Sequence, residues 1–338
     1  MQAILMVGVD MAKKDFVAAL FQEQAQALLG TFTNDVAGHE ALSAQVSEAC
    51  HQLGATQVQL VIEATGGYEA ALVAHAYTQD WLVSMPNAKQ VRDWAKGVGY
   101  RGKSDRIDAQ ILAHYGAERR PKPRPQLAEE VSELDSLLKR RADLEQALQK
   151  EQTRLSELSG RPGISPQVAE SLRQVIEALT AALAGIQQAI DERCQSHQPF
   201  QQQRTRLLAL PGVGPKVVLP LMVKLFQWQT LTGGEGTAKG LTALVGLDPQ
   251  PYTSGTSVRK HPGISKMGDN ELRRLLYMGA LGGVRGDNPL MPFYQRLVGR
   301  GKAKKVALVA AARKILVWAW TIFSRKIDWN PDLHQIGA

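Results

Sequence analysis

The pattern of apolar and polar positions changes character twice along the chain. Ile4–Val9 is an apolar run that ends at Asp10, and Phe16–Phe21 and Leu28–Phe32 follow across short polar turns. Runs of that length bounded by turn residues predict three consecutive strands. Asn34 or Asp35 can cap a helix that runs to about Gly54. Val58–Ile62 is a buried strand stopping at Glu63, Tyr68–Gln79 a helix, and Trp81–Met85 a strand. Pro86–Lys96 reads as a helix with proline in its first turn, and Ser104–Tyr115 as a last helix.

The stretch Arg119–Pro125 (RRPKPRP) is a proline-rich linker, poor for helix or sheet. Beyond it the period becomes helical. Leu127, Val131, Leu134, Leu137, Leu144, Leu148, Leu155 and Leu158 fall near three-and-four spacing. After a turn at Gly160–Pro166, Val168, Leu172, Val175, Leu179, Leu183, Ile186 and Ile190 continue it. This predicts an antiparallel helix pair, a coiled-coil arm over residues 126–203. Arg141 and Glu151 fall on its seam; the alternative is two core helices of a larger domain. Residues 204–338 read as helical, basic and rich in glycine turns. Over residues 1–125, three strands followed by alternating helix and strand is the order of an RNase H-like α/β domain. The expected fold class is therefore that α/β domain, then the helical arm, then a mainly α domain.

Composition narrows the class further. With 44% hydrophobic and 21% charged residues, the 338-residue chain is of ordinary globular type. Two cysteines, Cys50 and Cys194, exclude a disulfide scaffold and a four-cysteine zinc site, and fit a reducing cytoplasm. No apolar run reaches the roughly 18 residues of a membrane span. The longest candidate, Val306–Phe323, is broken by Arg313 and Lys314, and no membrane partner is expected. The N-terminus has no basic region before its apolar residues, so it reads as a strand rather than a signal peptide. The net charge of +8 is unevenly spread. Residues 1–203 carry 20 Lys+Arg against 25 Asp+Glu, a net −5; residues 204–338 carry 20 against 7, a net +13. A basic half points to a polyanionic partner.

Four acids stand out in the first part. Asp10 ends strand one in GVDMAKKDF, Glu63 ends a central strand in VIEATGGYE, and Asp105 and Asp108 sit three apart on a helix in KSDRIDAQIL. Positions three apart share a helix face. Acids at the ends of apolar strands are costly unless paired, and hard divalent cations take such oxygen ligands. Two cations roughly 4 Å apart can clamp both oxygens of a phosphodiester exchange. One acid after strand one, one after a later strand and two on a helix is how RNase H-like nucleases build that site, so all four are candidate catalytic residues and Mg²⁺ ligands. Glu63 is alternatively a turn-former ahead of Thr65-Gly66-Gly67. Asp10 alternatively starts a phosphate-binding turn. Asp15, Glu69 and Asp93 read as solvated.

In the basic part, LPGVGP at Leu210–Pro215 resembles a helix-hairpin-helix turn. There Gly212 and Gly214 would let backbone amides approach a phosphate at a helix N-terminus, beside Lys216. A plain helical turn is the alternative. The segment Gly246–Gly268 (GLDPQPYTSGTSVRKHPGISKMG) carries Arg259, Lys260, His261 and Lys266, and the helix Asn270–Leu276 after it carries Arg273 and Arg274. These suit a nucleic-acid backbone. The segment also holds hydroxyls that a neighbouring base or metal ion would activate as nucleophiles. Its composition does not choose among Thr253, Ser254, Thr256, Ser257 and Ser265.

Taken together, these motifs resemble the DEDD insertion-sequence transposases, whose relatives include the Piv-type DNA invertases. The resemblance covers nearly the whole chain, through GVDMAKKDF, VIEATGGY and KSDRIDA in the first half, and LLALPGVGP, GLDPQPYTSG and GISKMGDNELRRLLYMGA in the second. It implies a RuvC-like first domain with Asp10, Glu63, Asp105 and Asp108 as its acids. It also implies a nucleophilic serine in the YxSG element, which is Ser254 here. A structured noncoding bridge RNA pairing with donor and target double-stranded DNA, a phosphoserine intermediate, and Mg²⁺ beside it are implied likewise. So are a dimer that becomes a tetramer in the synapse and a place at the bacterial nucleoid. A metal-only nuclease of Holliday-junction type would need the acids but not Ser254; a non-enzymatic nucleic-acid-binding protein would need neither.

Overall fold

The computed structural model describes residues 3–331 apart from 23–24, 159, 162, 251–252, 255–257 and 260–262. The chain divides into two compact units, Met1–Gln126 and Leu127–Ala338.

The first unit is built on a five-stranded sheet. Its strands are β1 (Ile4–Met11), β2 (Asp15–Gln22), β3 (Ala25–Thr33), β4 (Gln57–Ile62) and β5 (Leu82–Ser84), in the order β3-β2-β1-β4-β5. β1, β2 and β3 are antiparallel neighbours, whereas β4 runs parallel to β1 and β5 parallel to β4. This mixed order fits the RNase H-like arrangement. β1 sits at the centre, with Leu5, Val7 and Val9 fully buried. Helix α1 (Val36–Leu53) starts at Asp35, whose carboxylate accepts from the Gly38 N–H at 2.9 Å, and stops at Gly54. Helices α2 (Ala70–Thr78), α3 (Ala88–Val98) and α4 (Asp105–Arg119) complete the unit. Pro86 lies ahead of α3 rather than in its first turn. Asn87 is the cap there, accepting from Lys89 N at 3.0 Å and Gln90 N at 3.3 Å, so the proline only sets the approach to the helix.

One glycine fixes where α4 lies. A Cβ at Gly8 would fall 2.2 Å from Ala109 O and from Ala113 N. Only glycine at this point of β1 lets the backbone of α4 rest directly on the central strand.

The second unit is helical. It contains α5 (Glu129–Leu158), α6 (Pro166–Ser196), α7 (Gln198–Leu208), α8 (Pro215–Leu231), α9 (Ala238–Val245), α10 (Asn270–Gly283), α11 (Leu290–Gly299) and α12 (Lys304–Arg325). α5 and α6 pack as a pair. Their inner ends, through Val131, Leu134, Leu138, Ile190 and Cys194, share one core with α7, α8, α10 and α12. The seam passes through Leu138, which is buried, while Leu137 is only partly buried. Among the described residues between 145 and 189 none is buried, so the outer half of the pair is two helices thick. Arg141 Nη1 donates to Gln187 Oε1 at 3.3 Å across it, and Arg193 pairs with Glu133.

α12 is long and apolar enough to cross a membrane by length and composition, despite Arg313 and Lys314. In this fold it is instead the central core helix, with Ala311, Ile315, Trp318 and Ala319 at 0–1% exposure. α10 extends past the expected end at Leu276 to Gly283, because Gly279, Gly282 and Gly283 are inside it rather than after it.

Candidate active site and nucleic-acid interface

The sheet register brings the first two acids together. Val9 of β1 is paired with Ile62 of parallel β4, so Asp10 and Glu63 are the next residues at the same edge of neighbouring strands. α4 supplies the other two. Ser104 caps it, accepting from Ile107 N at 3.3 Å, which puts Asp105 and Asp108 in the first turn. There the helix N-terminus favours negative charge. Since α4 rests on Gly8, that first turn is held near the end of β1. Asp10, Glu63, Asp105 and Asp108 line one cavity of about 530 Å³.

The electrostatics follow from this crowding. Burial, followed by the charges of Asp108, Asp105 and Glu63, raises the Asp10 pKa to about 6, against the lowering bond from the Met11 N–H. Burial also raises Asp108, with Lys103 and Arg92 pulling it down and Asp105 pushing it up. Such a donor set, all carboxylate oxygen, suits a hard divalent cation. Among the described residues no three His, Cys, Asp or Glu side chains form a ready-made ligand set, so the acids face the cavity without closing on one point.

Three supporting side chains were not legible as such. Glu69, read as solvated, is engaged: one carboxylate oxygen accepts from Thr65 N at 3.1 Å, Thr65 Oγ1 at 3.1 Å and Gly67 N at 3.0 Å. Burial pushes its pKa up, but the N–H groups of Glu69 itself, Thr65 and Gly67 outweigh this and hold it below the ordinary value. It therefore folds the turn that follows Glu63. Asn34 is freed for another task because Asp35 is the cap. Its amide donates to Tyr68 O at 3.0 Å and Ala12 O at 3.5 Å, tying the turn after β1 to the turn after β4. Arg92 of α3 pairs with Glu63 at 3.2 Å.

In the second unit, Gly212, Gly214, Lys216 and Arg274 line a cavity of about 870 Å³ between the base of α5, the α7–α8 turn, α8 and α10. Most of its charges are paired internally: Lys139 with Asp135 at 2.8 Å, Lys224 with Asp269 at 2.9 Å, and Arg274 with Glu271 through two bonds. Lys216 is exposed, and Gly214 begins α8 with open space around it. Arg273 donates to Val245 O at 2.8 Å, where α9 ends. Lys266 is exposed beside it.

Ser254 lies in one of two small two-stranded sheets. β6 (Pro249–Gln250) pairs with β9 (Gly263–Ile264), and β7 (Thr253–Ser254) pairs with β8 (Val258–Arg259). Ser254 is the last residue of β7 and Arg259 belongs to β8. Tyr252, Gly255, Thr256, Ser257, Lys260 and His261 lie outside the described residues. Ser265, directly after β9, is committed elsewhere: its hydroxyl donates to Asp248, and its N–H to Asp248 O at 3.0 Å.

Comparison with known proteins decides the family. A family model described as Transposase, of the IS110 DEDD type, matches residues 7–158, and one described as Transposase IS116/IS110/IS902 family matches residues 204–295. The Pilin gene-inverting proteins of Moraxella bovis and Moraxella lacunata are each 30% identical over 335 residues, covering 97% of this chain and 98% of theirs. The chain belongs to the IS110 family of DEDD transposases. It is a DNA transposase/recombinase, and its acid cavity lies inside the first matched region. Among solved structures, T. thermophilus RuvC in complex with Holliday junction substrate is similar at 15% identity and a TM-score of 0.26, over 36% of this chain and 99% of that chain. That likeness is too slight to argue from. The transposase's DEDD fold suggests dependence on a divalent metal.

Proposed function

We propose that the transposase cleaves and rejoins donor and target double-stranded DNA through a phosphoserine intermediate on Ser254, guided by a bridge RNA transcribed with its element. Ser254 Oγ bonds to phosphorus, the bond to one deoxyribose oxygen breaks, and the serine proton passes to that leaving oxygen. The hydroxyl of the incoming strand then reverses the exchange and frees the serine. Covalent attachment keeps the phosphodiester energy for rejoining.

The observation that carries this reading is the meeting of Asp10, Glu63, Asp105 and Asp108 at one cavity with the Asp10 pKa raised to about 6. These four carboxylates would hold Mg²⁺, which when bound supplies charge stabilisation to the transferring phosphate. Gly212, Gly214 and Lys216 at the hairpin, with Arg259, Lys260, Lys266, Arg273 and Arg274 of the basic stretch that follows, are the proposed backbone contacts to nucleic acid. The organisation proposed is a RuvC-like domain over 1–125, an arm over 126–203 and a transposase domain over 204–338. The thin outer half of the arm joins subunits in a dimer, which becomes a tetramer in the synapse. The site of action is the nucleoid.

The deciding experiment traps the protein–DNA adduct with and without Mg²⁺ and maps its peptide. An adduct at Ser254 supports the reading. Efficient cleavage with free ends and no adduct hands the case to a metal-only nuclease.

A further inference from the structure

The first unit carries a second charge pattern that the sum over residues 1–203 conceals. Ten of its twelve Lys and Arg lie between Lys89 and Arg124. Six of them, Lys89, Arg92, Lys96, Arg101, Lys103 and Arg106, follow one another along α3, the connection and the first turn of α4, and every one is exposed. The spacing on α3 is three then four, which sets Lys89, Arg92 and Lys96 on one helix face. The opposite face buries Val91, Trp94 and Ala95 against the unit. Asn87 at the N-cap and Gly99 at the left-handed C-cap fix the length over which this basic face is presented.

Four of these cations, Arg92, Lys96, Arg101 and Lys103, line the same cavity as the four acids. Among the described residues Lys96, Arg101 and Lys103 make no ion pair, and Arg92 pairs only with Glu63, its side chain still 68% exposed. Against burial, Lys103 and Arg92 lower the Asp108 pKa, so these cations already offset part of the carboxylates' mutual repulsion while their side chains stay exposed along the cavity rim. That exposure leaves them placed to meet a polyanion lying along the rim. Four carboxylates alone would repel a DNA strand at the place where strand chemistry must occur, and a row of cations offsets that repulsion.

We infer that Arg92, Lys96, Arg101 and Lys103 form a phosphate track that holds a DNA strand across the acid cavity of the first unit. The inference rests on the reading of the four carboxylates as the strand-cleaving site. Arg92 is the positioning residue within the track: it leaves Glu63 for a strand phosphate as Glu63 is engaged by cation. Contacts of this kind orient the strand and read no base sequence. The first unit thus grips DNA by itself, in addition to the basic second unit.

The test uses the full-length protein, a labelled DNA duplex, and an RNA duplex of matching sequence. Binding of each is measured across a salt series for wild type and for the combined variant Arg92→Gln, Lys96→Gln, Arg101→Gln and Lys103→Gln. Each lost phosphate contact lowers the slope of log K against log salt by about 0.9 for duplex DNA, so the slope for DNA falls by roughly 3 to 4. The slope for RNA falls by less, because the track is placed for a DNA strand over the acids. The variant still melts cooperatively, at a temperature lowered only by the loss of the cations beside Glu63 and Asp108. Arg92→Lys alone keeps the DNA slope, whereas Arg92→Gln alone lowers it by about 1. An unchanged DNA slope overturns the inference, and so does a larger loss on RNA, which would make the rim a guide-RNA surface. Full recombination by Asp10→Asn would instead sink the acid-site reading, without touching the salt slope.

Discussion

Gly212 and Gly279 meet backbone to backbone. A Cβ on Gly279 would lie 2.2 Å from Gly212 O, and one on Gly212 would lie 2.7 Å from Gly279 O. The hairpin glycine that its sequence motif assigns to phosphate approach is therefore required first by α10. Gly212 also has φ +82, a left-handed backbone that a side chain strains. Gly214, where a Cβ would meet nothing within 4 Å, remains the residue of the turn that is open to an outside partner.

Gly279→Ala should cost about 1–3 kcal/mol through overpacking, read as a lower denaturant midpoint of the second unit. Gly214→Ala should leave that midpoint nearly unchanged and weaken DNA binding instead. Equal stability losses for the two variants would contradict this division of roles.

The acid cavity makes a prediction about pH. The folded Asp10 pKa of about 6 lies above its ordinary 3.8. The folded state therefore binds more protons than the unfolded state between those values, and stability of the metal-free protein falls as pH rises through that window. Below pH 4 the contribution is fully present; above pH 6 it is lost. A divalent cation should restore it, since it binds the ionised form. Melting temperature measured against pH, with EDTA or with Mg²⁺, checks this. Asp10→Asn should flatten the metal-free curve, raise stability near pH 7 and abolish recombination. A pH-independent difference between the two conditions counts against the shared site.

Asp269 joins two jobs. Its carboxylate caps α10 through Leu272 N at 2.9 Å and pairs with Lys224 of α8 at 2.9 Å. Burial raises its pKa, but Lys224 and the Leu272 N–H outweigh this and hold it below the ordinary value. A depressed acid contributes stability above its unfolded pKa and loses it as pH falls. Asp269→Ala should cost about 1–2 kcal/mol at neutral pH, with a smaller difference from wild type below pH 4. Chemical denaturation at pH 7 and pH 3.5 reads both.

Much of this was legible in the sequence for a physical reason. Apolar strands that end in an acid, such as Ile4–Val9 before Asp10, announce both the strand and the cost that something must offset. Caps at Asp35, Ser104 and Gly54 are local chemistry, so they too could be read. What was not legible depends on close approach or on exchange of partners. Gly8 looks like any strand residue until α4 lies on it. Asn34 and Asp35 are equally good caps on paper; once Asp35 caps, Asn34 ties two turns together. Glu69 sits within a few residues of Glu63, yet its three donors come from a loop whose shape no periodicity reveals. The basic rim at Arg92–Lys103 does not show in the net charge of residues 1–203, because 25 acids spread over that stretch outweigh its 20 basic residues.

The arm separates two kinds of apolar position that share one period. Leu134 is fully buried and belongs to the core of the second unit. Leu148 is only partly covered in the outer half, and Val175 is 43% exposed. Leu134→Lys would bury a charge without a partner and should unfold the unit, at a cost of several kcal/mol. Leu148→Lys combined with Val175→Lys should leave melting nearly unchanged, because both lysines reach water. If the outer arm joins subunits, that pair should shift the mass by light scattering toward the monomer and abolish recombination, while binding of a single DNA duplex persists. A mass equal to wild type, with recombination intact, would leave the arm as a spacer and move the subunit contact elsewhere on the protein.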